Sequence, residues 1–432
     1  MTRMKDSGIE WIGEVPEEWG ITKSKYFLDT NKGLTITKEN LIEDGIPVIN
    51  YGQIHSKYGR SVSTVRDELP QVSTNYLKFK QSLLNKGDFV FADTSEDIEG
   101  SGNFSTRIDD NGELFAGYHT IKAKLKNALE HDFRYFMHYF DSMAFRKQVQ
   151  NKVSGIKVYS VTQSILQEIC LLLPSFIEQQ RIADFLDKKV AQLDKVKSLL
   201  EEQIKTLEDY RQSLIYETVT KGLDKTVPLK DSGVDWIGQI PEGWEVKKHK
   251  YIMSKTKTLC SHYSGQKILS LTRQGVISRD VESGKGKMPA SFDGYQFLTR
   301  GDLLLCLFDI DVTPRCVGVV ESDGLTSPAY SRFKVSEDSS VYYYYYLFLS
   351  MDDDKVLLHL AKNLRNSLTE DDFGDIETIV PSYKEQVIIA NYLNKKTLLI
   401  DKLIKLKKEQ IENINKQRQT LIYDYVTGKR RV

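Results

Sequence analysis

The chain has 432 residues, 40% of them hydrophobic and only 10 of them proline. That is apolar material enough for two folded domains and too much for a disordered chain. Its 60 basic and 60 acidic side chains cancel, which argues against a simple polyanion binder; only 381–432 carries a basic excess. The longest apolar run, Leu303 to Phe308, is far too short to span a bilayer, and residues 1–11 lack the charged-then-apolar layout of a secretory leader. Cys170, Cys260, Cys306 and Cys316 are scattered without metal-like spacing, so reduced thiols and a cytoplasmic location are expected.

Taken in chain order, the sequence states itself twice. KDSGIEWIGEVPEEWGITKSKYF starts at Lys5 and returns as KDSGVDWIGQIPEGWEVKKHKYI at Lys230. PSFIEQQRIADFLDKK starts at Pro174 and returns as PSYKEQVIIANYLNKK at Pro381. Between opening and closing repeats the middles differ. Residues 46–54, 86–93 and 118–125 read as strands between turn residues in the first, and 267–277, 300–308 and 331–335 in the second. Gly87–Asp88 and Gly301–Asp302 look like one turn used twice. FRYFMHYFDSM (133–143) and VYYYYYLFLSM (341–351) occupy matching places, and their period leaves helix and strand both open.

The closing repeats begin helices. Pro174–Ser175 and Pro381–Ser382 precede Glu178 and Glu385 at capping-box spacing. Ile182, Leu186, Leu193, Leu200, Ile204, Leu207 and Leu214 then recur at helical intervals, as do Ile389, Leu393, Ile400, Leu403, Ile411, Ile414 and Leu421, which predicts a coiled-coil seam. Each helix covers roughly 43 residues, about 65 Å at 1.5 Å per residue. The intervening domain has a radius of gyration of about 15 Å, so antiparallel pairing demands least of it. The expected fold is mixed α/β: two recognition domains (1–173 and 223–380) separated by an antiparallel two-helix coiled coil (174–222 and 381–428), with a pseudo-twofold internal repeat and a basic tail (429–432).

No catalytic constellation emerges. GKGK at 284–287 lacks the upstream glycine and the hydroxyl residue of a phosphate loop, and no HxH or HExxH pair is present. Asp309, Asp311 and Asp352 to Asp354 are most simply solvated loop carboxylates. Candidate DNA-contacting residues fall at corresponding places in both middles. Asn50, Tyr51 and Gln53 end one predicted strand, and Thr272, Arg273 and Gln274 occupy the comparable place in the other unit; Arg, Asn and Gln have the forked groups that match base edges. Lys157, Tyr159, Arg365 and Asn366 lie just before the helices, and Arg315 sits on a turn beside Pro314.

The doubled opening, the doubled helix start and the two helix endings RQSLIYETVTKG (211–222) and RQTLIYDYVTGK (418–429) closely resemble the specificity subunit of type I restriction-modification enzymes. The resemblance covers the whole chain in the family's order of recognition domain, helix, recognition domain, helix. It implies a non-catalytic subunit that reads double-stranded DNA, each domain taking one half of a split, asymmetric target. It also implies docking of two methyltransferase subunits, with restriction subunits joining that core. S-adenosylmethionine, ATP and Mg would then sit on those partners and no cofactor or metal here. Two other readings remain: the same task in a methylation-only complex, and a coiled-coil scaffold that binds proteins without reading DNA.

Overall fold

The computed structural model describes residues 3–155, 157–281, 289–361 and 366–432. The chain forms two compact units, Met1–Leu199 with Glu409–Val432, and Leu200–Lys408. These boundaries cut across the chain order because each long helix gives one part to each unit.

In the first unit β1 (Gly20–Lys23) leads into β2 (Leu28–Lys32), β3 (Ile46–Ile49), α1 (Tyr51–Ser56), β4 (Ser61–Val62), β5 (Phe89–Ala92), β6 (Thr94–Ser95), β7 (Phe104–Arg107) and β8 (Thr120–Leu125). Then follow α2 (Phe133–Asp141), β9 (Tyr159–Ser160), β10 (Cys170–Leu173) and the long α3 (Phe176–Lys221). The main sheet has the order β2-β8-β5-β7-β4. Ala123 of β8 lies opposite both Thr30 and Phe89. The strand expected over 46–54 stops at Ile49, because Gln53 Oε1 accepts the Asn50 amide at 3.0 Å and starts α1 instead.

The second unit runs β11 (Glu245–Lys248), β12 (Met253–Lys255), β13 (Leu269–Thr272), β14 (Gly275–Ser278), β15 (Leu303–Leu305), β16 (Val317–Val319) and β17 (Ser331–Val335). It ends with α4 (Val341–Asp353), β18 (Glu377–Val380) and the long α5 (Tyr383–Val426). Its sheet order, β12-β17-β15-β16, repeats the first four strands of the other sheet. Gly87 and Gly301 take left-handed φ of 84° and 90°, the region glycine enters without steric cost. The aspartate after each is nearly buried and paired with a cation from the next strand, Asp88 with Lys122 at 3.0 Å and Asp302 with Arg332 at 2.7 Å. The two aromatic segments are helices. Both bury nearly every side chain, including Tyr135, Phe136, Tyr139 and Phe140 in one and Tyr343, Tyr344, Leu347 and Phe348 in the other. The second, apolar almost all round, shows no stripe, whereas the first gathers Arg134, His138 and Asp141 on one face.

One frame recurs inside both units, contact for contact. The indole of Trp19 donates to Glu178 at 3.0 Å, and that of Trp244 to Glu385 at 3.2 Å, so the opening repeat is tied to the helix start. Gln179 accepts the Asp132 amide at 3.0 Å and donates to the Pro174 carbonyl at 2.9 Å; Gln386 does the same with Ser340 (2.8 Å) and Pro381 (2.9 Å). His138 meets Asp187 at 2.8 Å where Tyr346 meets Asn394 at 2.9 Å. Each glutamine satisfies a helix-end carbonyl and a loop amide that would otherwise be buried unpaired.

The helices pair antiparallel within each unit, since contact positions rise along α3 as they fall along α5. In the first, the Phe185 ring packs tilted against Tyr425 with centroids 4.5 Å apart, and Arg418 meets Asp194 at 3.2 Å. In the second, Lys407 donates to Gln203 at 2.6 Å and Arg211 meets Asp401 at 3.3 Å. Ile182, Leu186, Ile204, Ile389, Leu393 and Ile400 are buried. Leu193, Leu200, Leu207, Leu214, Ile411, Ile414 and Leu421 are half-buried. Leu403 departs from the expected seam: it is 48% exposed, and Ile404 takes the buried place. At 3.6 residues per turn a seam counted in alternating steps of three and four drifts off its face. Among the described residues no helix is long and apolar enough to cross a membrane.

Candidate nucleic-acid interface

In the second unit β13 and β14 form a tight hairpin with Thr272 opposite Gly275. Gly275 has φ of 98°, a value the turn requires and a side chain would resist. Thr272 closes the turn by accepting the Gln274 amide at 3.1 Å and donating to the Gly275 carbonyl at 3.0 Å. Arg273 and Gln274 are thereby exposed at the tip. A two-stranded ribbon of this kind fits the major groove, and a guanidinium and an amide are the groups that read guanine and adenine there.

Arg273 and Gln274 line a groove of about 710 Å³ with Arg211, Arg315, Tyr345, Asp353 and Asp401. Arg315 is held by Asp352 at 3.2 Å and Asp353 at 2.9 Å. Burial raises the Asp353 pKa, and the adjacent Arg315 offsets part of that rise. Structure therefore brings Thr272, Arg273, Gln274 and Arg315 together. Asn366 borders the same region, its carbonyl accepting the Ile310 amide at 3.1 Å beside the 309–313 turn, whose Asp311 and Thr313 line a groove with Arg273 and Arg315. Arg365, like 284–287, lies outside the described residues.

The first unit builds a different surface. Asn50 is fully buried, and its Oδ1 accepts the Tyr118 amide at 3.1 Å. Gln53 spends its carbonyl on the helix start. Asn50 is thus corrected from a base-contact candidate to a residue that holds the loop, since a fully enclosed side chain has no edge to offer a ligand; half-buried Gln53 commits its Oε1 there and keeps its Nε2 amide. Tyr51 remains at the surface, edge-on to Tyr118 at 5.8 Å and to His119 at 5.4 Å. His119 was not legible in the sequence: a non-glycine residue with φ of 54°, 59% exposed, its Nδ1 3.2 Å from Asp93. Such a left-handed conformation costs of order 1 kcal/mol and clusters at functional loops. Bonding to Asp93 commits Nδ1 as the donor, so Nε2 is the ring atom left for a ligand.

Beside it runs a groove of about 500 Å³ lined by Lys32, Thr35, Asp93, His119, Ser160 and Gln163. β9 pairs with β6, Tyr159 opposite Ser95 and Ser160 opposite Thr94, so Ser160 lines the groove while half-buried Tyr159 and exposed Lys157 precede it in the chain. His55 braces it from behind: one ring nitrogen meets the Thr94 carbonyl at 2.8 Å and the other Asn103 at 2.9 Å. Asn103 accepts Arg146 at 2.7 Å. Arg146 in turn stands 3.6 Å from buried Asp141, where Arg418 (2.5 Å) and Arg60 (4.0 Å) also converge.

A duplicated frame carrying two unlike polar grooves, one mixing arginines and glutamines with the carboxylates Glu208, Asp209, Asp353 and Asp401 and one lined by histidine and tyrosine, defines a duplicated recognition protein. Residues 16–208 match the family model described as the type I restriction modification DNA specificity domain. The type I restriction enzyme MjaVIII specificity subunit of Methanocaldococcus jannaschii is 26% identical, covering 97% of this chain and 94% of the relative. The EcoKI specificity subunit of Escherichia coli is 22% identical over 63% of this chain and 53% of its own length. A solved chain described under complex assembly and conformational transition of the type I R-M system superposes with a TM-score of 0.70. That match covers 96% of this chain and 99% of the other, and at 15% identity it shows the shared fold. Residues 16–208 thus match a type I DNA specificity domain, and the chain is similar along nearly its whole length to specificity subunits of such enzymes.

Proposed function

We propose that this chain is the DNA sequence-specificity subunit of a type I restriction-modification complex, itself without catalytic activity. Each unit reads one half of a bipartite, asymmetric target: the first through the rim around Tyr51, His119 and Lys157, the second through the Arg273–Gln274 hairpin. One observation carries this reading. The Trp–Glu and Gln–backbone contacts repeat in both units while the surfaces mounted on them do not. Two copies of one protein reading one palindrome would need no such divergence.

The two long helices, each shared by both units, set the unread spacing between half-sites and offer the constant surface on which two methyltransferase subunits dock. Those partners would bring S-adenosylmethionine and turn the target adenine out of the stack; restriction subunits would bring ATP and Mg. With no net charge on the chain, neutralisation of phosphates falls largely to the partners. Co-expression with the methyltransferase chain of its own system, followed by sequencing for methyladenine, tests the reading. A single split motif is expected, and scattered or absent methylation refutes it.

A further inference from the structure

The opening repeat ends in a surface feature that DNA reading leaves unused. In the first unit Lys23 caps and Lys25 lies within the turn Ser24–Tyr26, and both bond the Glu168 carboxylate, Lys25 at 3.2 Å. The Lys25 ammonium sits 5.2 Å from the centre of the Tyr26 ring, which is 68% exposed. In the second unit Lys248 caps and Lys250 lies within the turn His249–Tyr251, and they bond Asp375 at 3.1 and 2.7 Å. Lys250 sits 5.7 Å from the Tyr251 ring, 71% exposed.

The duplication supplies its own control. Buried neighbours have diverged, with Ser24, Phe27 and Leu28 standing where the other copy has His249, Ile252 and Met253. The exposed pieces are identical in both: lysine, lysine, tyrosine, and a carboxylate behind them. Core packing constrains the buried set and exerts no pull on an outward tyrosine. Whatever holds the exposed set constant lies outside the chain and is the same at both units.

We propose that each Lys–x–Lys–Tyr turn is the docking point for one copy of the same partner protein, two copies per chain. The partner's identity as the methyltransferase subunit rests on the function proposed above. Base reading is excluded as the cause, because the half-sites and the grooves differ between units. Each lysine pair shares a carboxylate, which leaves only a slight positive excess and weakens any pull on phosphate. An exposed tyrosine offers large contact area with few rotatable bonds, the typical anchor of a protein interface. The complementary surface is a pocket for the phenol rimmed by acidic groups.

Full-length chain co-purified with its methyltransferase subunit, weighed by native mass spectrometry and titrated for affinity, tests this. Tyr26→Ala and Tyr251→Ala should each weaken one of two binding events by about tenfold or more, and the double variant both, with thermal unfolding unchanged. Tyr26→Phe should retain most of the affinity. Two-to-one assembly at unaltered affinity in the double variant overturns the proposal while leaving DNA reading intact. Loss of DNA affinity without loss of assembly overturns it in favour of a phosphate contact. Failure of the unaltered chain to bind any methyltransferase subunit overturns it together with the proposed function.

Discussion

The hydroxyl of Tyr135, on the first aromatic helix, shares its one proton between the Leu172 carbonyl at 3.0 Å and the backbone carbonyl of Val426, at the far end of the last helix, at 3.2 Å. In the second unit Tyr343 donates to Val219 at 2.9 Å. Both phenols are completely enclosed, which pushes their pKa well up and keeps them as donors. Each unit is therefore closed by the last turn of the helix that belongs, in sequence, to the other repeat. The following glycines complete the seal: a side chain on Gly428 would come within 2.4 Å of Pro16, and Gly222 abuts Trp244 at 3.3 Å.

Tyr135→Phe and Tyr343→Phe each leave buried carbonyls short of a donor. A loss of about 1–2 kcal/mol is expected for each, read by denaturant unfolding. Gly428→Ala combines a left-handed φ of 70° with the clash against Pro16. It should cost about 1–3 kcal/mol, and an unfolding midpoint equal to the parent's would contradict the packing described.

Asp141 is enclosed by Arg418, Arg146 and Arg60. Burial pushes its carboxyl up, the three guanidinium groups more than reverse this, and the net pKa is lowered from the usual 3.8. A carboxyl with a depressed folded pKa stabilises above its unfolded value and loses that contribution as pH falls through the folded one. Asp141→Asn leaves three cations around a neutral amide and should cost about 3–5 kcal/mol near pH 7. Acid titration of the variant should show a shallower loss below pH 4 than the parent shows.

His249 is buried with its Nδ1 2.9 Å from the Phe373 carbonyl, so it is held neutral with Nδ1–H as donor. Burial lowers its pKa from 6.5 to about 4. Between those values the unfolded chain takes up a proton that the folded chain refuses, so stability falls as pH drops through that window. The loss approaches about 3 kcal/mol by pH 4. His249→Asn keeps the donor without the titration and should flatten the dependence; an unchanged slope between pH 6.5 and 4 would assign it elsewhere.

Arg273→Ala removes a forked donor from the hairpin tip and should relax one base position of one half-site by about 1–3 kcal/mol. His119→Ala should alter the other half-site alone. Methylation motifs sequenced from cells expressing each variant decide this. Both variants degrading the same half would show that the two grooves are not separate readers.

Much of this was legible in the chain because it is local. Capping spacings at Ser175 and Ser382, the long helical runs, the Gly–Asp turns and the doubled motifs are set by interactions within a few residues, and repetition announced the common frame without any coordinates. Three-dimensional closure decided the rest. It chose Asn50 and Gln53 as loop anchors, turned Leu403 outward, put His119 in a strained loop, and gathered Arg60, Asp141 and Arg418 around one buried charge. It also gave each unit the end of the other repeat's helix, as Tyr135 and Val426 record. Those outcomes depend on burial and charge pairing between segments hundreds of positions apart, for which a one-dimensional pattern carries no distance.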